Sequence, residues 1–225
     1  MCGRYTTPGD TEKIRVRFRV DELREGMRTL YNVAPQTDVP VVVQQGGRRI
    51  LGNVRWGLVP REAPSLKSGP HPINARAETV ATSRMFQGLF ARHRCLVVAD
   101  SFFEWAPGEG GKRPFRIQLA SREPFAMAGL WDGWRDPAAG LDAPWLKSCT
   151  IVTTEANALV GRLHDRMPAI LEPSGEELWL DPAVDDPAVL LPLLRPFPES
   201  EMTCYEVSRA VSSVRNQGPE CIEPA

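Results

Sequence analysis

The chain has 225 residues, of which 42% are hydrophobic and 24% charged; that is enough to bury a sizeable core and too apolar for intrinsic disorder. No apolar run approaches the roughly 18 to 20 residues of a membrane span, so a soluble globular protein is expected. The formal net charge of -1 hides a polarity, because residues 1–100 carry 16 Lys plus Arg against 9 Asp plus Glu while residues 101–225 carry 11 against 19.

In chain order, residues 10–20 predict a short amphipathic helix with Ile14 and Phe18 at i, i+4 spacing and Asp10 or Thr11 as its cap. Val39 to Gln45 and Ile50 to Leu58 read as strands of a hairpin turned at Gly46-Gly47. Residues 60–72 hold four prolines and no periodicity, which predicts a loop or flap. Thr82 to His93 predicts a helix with Met85, Phe86, Leu89 and Phe90 on one face and Arg84, Arg92 and Arg94 left for solvent or an anion. Leu96 to Ala99, Ser101 to Trp105, Phe115 to Leu119, Phe125 to Trp134 and Ser148 to Thr153 are strand-like, with a tight turn at Gly108 to Gly111. Ser174 and Glu177 predict a capping box opening a helix through Leu180, and Pro187 to Leu194 a second short helix. Met202 to Val207 is a last strand, followed by a polar stretch from Arg209 to Gly218. With eight acidic residues and one basic between Glu172 and Glu201, that face should avoid DNA. The fold expected is a single α+β domain: a twisted, mostly antiparallel β-sheet or barrel-like core flanked by short helices.

The five cysteines, Cys2, Cys95, Cys149, Cys204 and Cys221, include no C-x-x-C pair, and the three histidines, His71, His93 and His164, form no H-x-x-x-H arrangement. No structural zinc, metal or other cofactor is expected, and a reducing, intracellular compartment follows.

Cys2 directly follows the initiator methionine. Removal of Met1 would leave an N-terminal residue with an α-amine and a thiol on adjacent carbons, both nucleophilic near neutral pH. Such a 1,2-aminothiol forms a Schiff base with an aldehyde, and the sulfur then closes onto the imine carbon to give a thiazolidine.

The motifs MCGRY at Met1 to Tyr5, YNVAP at Tyr31 to Pro35, RWGLVP at Arg55 to Pro60 and INARAET at Ile73 to Thr79 follow in order. After them come Phe103-Glu104-Trp105, His164-Asp165-Arg166-Met167-Pro168, Val207-Ser208-Arg209 and Asn216-Gln217-Gly218. In this order and spacing the chain resembles the SOS-response-associated peptidase (SRAP) family across one domain, residues 1–225. The resemblance implies a sensor and covalent shield of abasic sites in single-stranded DNA; a monomer without membrane contact, in the bacterial cytoplasm and nucleoid-associated during repair, is the accompanying expectation. It implies catalytic roles for Cys2, Asn74, Glu104 and His164, and associated AP-lyase and autoproteolytic activity. Each residue has a chemical rationale: Glu104 and His164 can move the protons of imine formation, and Asn74 can orient the amine or sugar without adding charge. Glu104 lies among Phe102, Phe103 and Trp105, so inward alternation would raise its pKa by desolvation.

The resemblance places DNA contacts at Arg4, Pro35, Arg76, Arg84, Trp105 and Arg166, and Thr153, ending a strand, can add a hydroxyl to phosphate. In extended chain Arg76 shares a face with Asn74, and Arg166 with His164; an ion pair of Arg76 with Glu78 is the competing role. Trp56 reads as core or as a DNA contact. The loop after RWGLVP departs from the family, carrying Arg61-Glu62-Ala63-Pro64 where further aromatics are common. Two other activities stay open: an N-terminal-nucleophile cysteine peptidase or amidohydrolase, and a noncovalent single-stranded DNA binder.

Overall fold

The computed structural model describes residues 2–24, 27–140 and 142–225. In chain order the elements are β1 (Tyr5–Thr7), α1 (Thr11–Arg17), β2 (Glu22–Leu23), β3 (Leu30–Val33), β4 (Asp38–Gln45), β5 (Arg48–Trp56), β6 (Asn74–Arg76), α2 (Gln87–Arg92) and β7 (Arg94–Ala99). They continue with β8 (Ser101–Ala106), β9 (Arg113–Leu119), β10 (Phe125–Trp134), β11 (Leu146–Glu155), β12 (Arg166–Pro168), β13 (Ile170–Leu171), α3 (Pro173–Leu180), α4 (Pro187–Leu190) and β14 (Met202–Glu206). The fold is α+β. Among the described residues no helix is long and apolar enough to cross a membrane.

Two sheets are stacked. One runs β14-β9-β8-β1-β3, and the other has β12-β11-β10-β7-β4-β5-β2 as its main path. Pairing is antiparallel except where β11 meets β5 and β6 and where β2 meets β5. The larger sheet curls until Arg55 and Trp56 meet Ser148 and Cys149, yet it is not closed as a barrel. Of the two expected arrangements, the sheet is the one observed.

Side-chain alternation sorts the core into layers. Cys95, Val97 and Ala99 of β7 face the first sheet and join Tyr5, Phe102 and Ile117 there. Leu96 and Val98 face the other way, onto Phe90, Trp179, Ile14 and Phe18 from the helical side. Strands covered on both faces read as unbroken apolar runs, which is why β7 and β10 were legible. A third cluster of Phe103, Val207, Val211 and Cys221 lies where β8 meets the C-terminal turns.

Local rules explain most ends. Asp10 caps α1 by accepting from Lys13 N–H at 2.9 Å, and the chain leaves the helix through Arg19 at φ 52. Gly46 and Gly47, at φ 59 and 77, supply the left-handed pair that a two-residue hairpin turn needs. Three expectations are corrected. The capping box at Ser174 and Glu177 does not form, because Pro173 starts α3 one residue earlier and Glu172 occupies the cap without a side-chain hydrogen bond. The helix expected over residues 82–93 is confined to Gln87–Arg92, with no side-chain cap at Phe86, and Met85 is 36% exposed. Arg94 faces neither solvent nor an anion. Its buried guanidinium donates to the carbonyls of Phe90, Ala91, Trp179, Asp181 and Val184, holding α2 to the end of α3.

Candidate active site

Cys2 lies at the start of the first sheet, fully buried among residues of the inter-sheet core. Arg4 continues the pairing of β1 with β8 by accepting the Phe103 N–H on its carbonyl at 2.9 Å. Along β8, Phe102 and Glu104 fall on the inward face and Phe103 and Trp105 on the other, so the strand's period turns a carboxylate toward Cys2. Glu104 is 4% exposed. Burial pushes its carboxyl up to about 7, because removing water penalises the charged form. Burial first, and then the nearby Glu104 charge, push the Cys2 thiol up as well.

Asn74 opens β6, which lies parallel to β11 with Asn74 opposite Ile151. From there its Nδ2 donates to the Cys2 carbonyl at 3.1 Å, and its buried Oδ1 accepts no hydrogen bond among the described residues. His164 sits in the turn before β12 and is about one third exposed. Its Nδ1 accepts the Arg166 N–H at 3.0 Å and lies 2.9 Å from Asp165 Oδ1. Burial holds this imidazole below its ordinary value of 6.5, because removing water penalises the charged ring. Glu104 and His164 line one cleft of about 710 Å³ with Gly3, Arg4, Trp105 and Lys112. Gly3, which follows the buried Cys2 in the chain, forms part of its wall.

Arg4, Pro35, Arg76, Arg84, Trp105, Thr153 and Arg166 divide by setting. Arg4 donates to Asn32 Oδ1 at 2.6 Å and to the Val211 carbonyl at 2.9 Å. The buried Asn32 in turn donates to the carbonyls of Val211, Ser213 and Asn216, and Gln217 Nε2 donates to the Asn32 carbonyl. The motifs at Arg4, Asn32 and Asn216-Gln217 therefore form one clamp beside the cleft. Trp105 donates from Nε1 to Ser212 Oγ at 3.3 Å. Arg76 is exposed on the same β6 face as Asn74, with Ala75 turned into the core. Arg84 is exposed in the turn before α2, and Pro35 is exposed in the turn before β4.

Three expectations change. Arg166, not Arg76, makes the ion pair with Glu78, at 2.6 and 2.9 Å through both nitrogens, and also donates to the Thr153 carbonyl. Arg166 lies in β12 but His164 lies outside it, so the shared face expected of an extended run is replaced by the Nδ1 contact. Thr153 is 1% exposed with its hydroxyl directed at the Ala75 carbonyl, which leaves it no access to a phosphate. Trp56 is core: it is fully buried, packs edge-on against Tyr5 at 5.1 Å and donates to the Ile73 carbonyl. Sequence reading missed Lys112 and Arg209 as cleft residues. Arg209 donates to the carbonyls of Glu109 and Gly110 and so pins the β8–β9 turn over the cleft, a pairing that nothing local signals. Among the described residues no cluster of three or more His, Cys, Asp or Glu is placed to hold a metal ion.

The family described as SOS response associated peptidase (SRAP) matches residues 1–214. The chain is 41% identical over 226 residues to the abasic site processing protein YoqW of Bacillus subtilis, covering 99% of each. It is 35% identical over 266 residues to the abasic site processing protein HMCES of Gallus gallus, covering all of this chain and 78% of that one. A crystal structure of a Bacteroides thetaiotaomicron protein superposes with a TM-score of 0.83 at 24% identity over the whole of both chains, a likeness of fold.

Proposed function

The chain belongs to the SRAP family, and from that premise and the cleft beside Cys2 we propose that it senses abasic sites in single-stranded DNA and shields them covalently through Cys2. The observation that carries the reading is that three distant segments meet at the start of the chain: Asn74 bonds the buried Cys2, the Glu104 charge acts on its thiol, and His164 shares a cleft with Glu104 and Gly3.

Once Met1 is removed, the Cys2 amine attacks C1′ of the ring-opened deoxyribose, and the carbinolamine loses water to give an imine. The Cys2 sulfur then adds to that carbon and the thiol proton passes to the ring nitrogen, closing a thiazolidine. Glu104, with its carboxyl near 7, can take a proton from the attacking amine and return one to the departing hydroxyl. His164 lines the same cleft, where its protonated form can give a proton to the sugar oxygen as the closed hemiacetal opens. Asn74 holds the Cys2 carbonyl, which fixes the residue whose amine must approach the aldehyde.

The cleft favours this order of events over a cysteine peptidase. A buried thiol held in its protonated form makes a poor first nucleophile for an amide, but it can still close onto an imine already formed beside it. Strand cleavage by β-elimination from the imine competes with ring closure. Arg76 and Arg84 supply exposed cations for the DNA backbone, Arg4 and Trp105 line the cleft itself, and Pro35 adds an exposed surface on the strand's path. Arg166 positions His164 through its backbone N–H.

Intact mass spectrometry of the protein, alone and after mixing with abasic single-stranded DNA, tests this directly. Loss of Met1 and a covalent DNA adduct are expected. An adduct that persists when an N-terminal extension blocks the Cys2 amine would overturn the mechanism.

A further inference from the structure

Beyond the cleft, the β10–β11 connection presents an aromatic side chain that the chemistry above does not use. Trp145 is 47% exposed, and the guanidiniums of Arg135 and Arg61 stand over its ring at 4.5 and 5.5 Å. The indole lies close against β10 at Gly133, where an added Cβ would sit 3.3 Å from the ring. Its surroundings are anchored: Arg61 N–H donates to the buried Asp132 at 3.1 Å, and Trp134 Nε1 donates to the Ala63 carbonyl at 2.7 Å. Trp145 and Lys147 also border a concavity of about 350 Å³, floored by Val41, Val43 and Val54.

Among the described residues Arg61 and Lys147 make no ion pair, although the protein as a whole is close to neutral. An exposed indole ringed by cations is complementary to a chain of flat bases on a polyanionic backbone. The position relates it to the cleft. Trp145 precedes by six residues the Ile151 that pairs with Asn74, about 20 Å along an extended strand.

We propose that Trp145, with Arg61, Arg135 and Lys147, is a second contact site for single-stranded DNA, stacking a base that flanks the abasic nucleotide. This rests on the reading that the Cys2 cleft takes abasic DNA.

The test compares full-length wild type with Trp145→Ala and Trp145→Phe on long single strands, undamaged and abasic, and on an abasic strand trimmed to end within about 20 Å of the lesion. Trp145→Ala is expected to weaken binding of the long undamaged strand by about 5- to 150-fold, and Trp145→Phe to restore most of it. Adduct formation at saturating DNA should be unchanged, as should adduct formation on the trimmed strand. Equal binding by wild type and Trp145→Ala would overturn the proposal, as would an equal loss on both lengths in a variant whose urea melt matches wild type. Should Trp145→Ala fail to fold, Lys147→Gln decides instead: the long strand's binding should lose about 0.7 of its log-log salt slope, and no loss overturns the proposal. A wild type that forms no abasic adduct would sink the Cys2 reading, whereas the undamaged-strand arm still decides this one.

Discussion

Replacing Glu104 with glutamine should stabilise the fold at alkaline pH while disabling the chemistry. The folded carboxyl titrates at about 7 against an ordinary 4.5, so between these values the folded state holds more protons than the unfolded state. Stability contributed by this site therefore falls as pH rises from 4.5 to 7, and the loss is complete above that range. The displacement corresponds to roughly 3 kcal/mol at pH 8 and roughly 1 kcal/mol at pH 5. Glutamine keeps the shape and never charges, so the stability of Glu104→Gln relative to wild type should grow by roughly 2 kcal/mol between pH 5 and pH 8. Urea unfolding at both pH values measures the gap. The rate of adduct formation on abasic single-stranded DNA should fall by about 10²- to 10⁴-fold, the usual worth of a general acid or base. A stability gap that stays constant with pH would refute the assignment of a desolvated, functionally strained carboxylate.

Other consequences follow from the clamp, the buried arginine and the exposed cations. Asn32→Ala breaks the contacts from Arg4 to the C-terminal turns and should cost about 2 to 4 kcal/mol in a urea melt; a cost below about 1 kcal/mol would show that the clamp is dispensable. Arg94→Met strands five buried carbonyls and should cost at least about 3 kcal/mol, with DNA affinity per folded molecule unchanged. Arg76→Gln should lower the log-log salt slope of single-strand binding by about 0.7, and an unchanged slope would remove Arg76 from the DNA path. Gly129→Ala places a methyl 2.8 Å from Val97 and 2.9 Å from Cys95 and should destabilise by about 1 to 3 kcal/mol, read as a lower melting temperature.

What sequence alone determined here is whatever depends on period, caps and motif order. The continuous apolar runs of β7 and β10, the Gly46-Gly47 hairpin and the Asp10 cap are local, and local rules place them. The alternation that turns Glu104 inward is equally local, and it was readable once Ser101 to Trp105 was taken as a strand. Motif order named the family because Cys2, Asn74, Glu104 and His164 occur with their neighbours intact.

Tertiary structure alone decided how long-range partners divide the charged residues. Arg94 and Arg84 carry the same charge, yet one is sealed by five carbonyls and the other is exposed. Arg166, not Arg76, took Glu78, because β12 and β6 flank the same strand, β11. Short strands such as β1, β3 and β6 have too few residues to show a period, and they exist because neighbouring strands complete their hydrogen bonds. The cleft follows the same logic: its floor is legible as a motif, but Lys112 and Arg209 enter only where the β8–β9 turn meets the C-terminal segment, a meeting set by packing across about a hundred residues of chain.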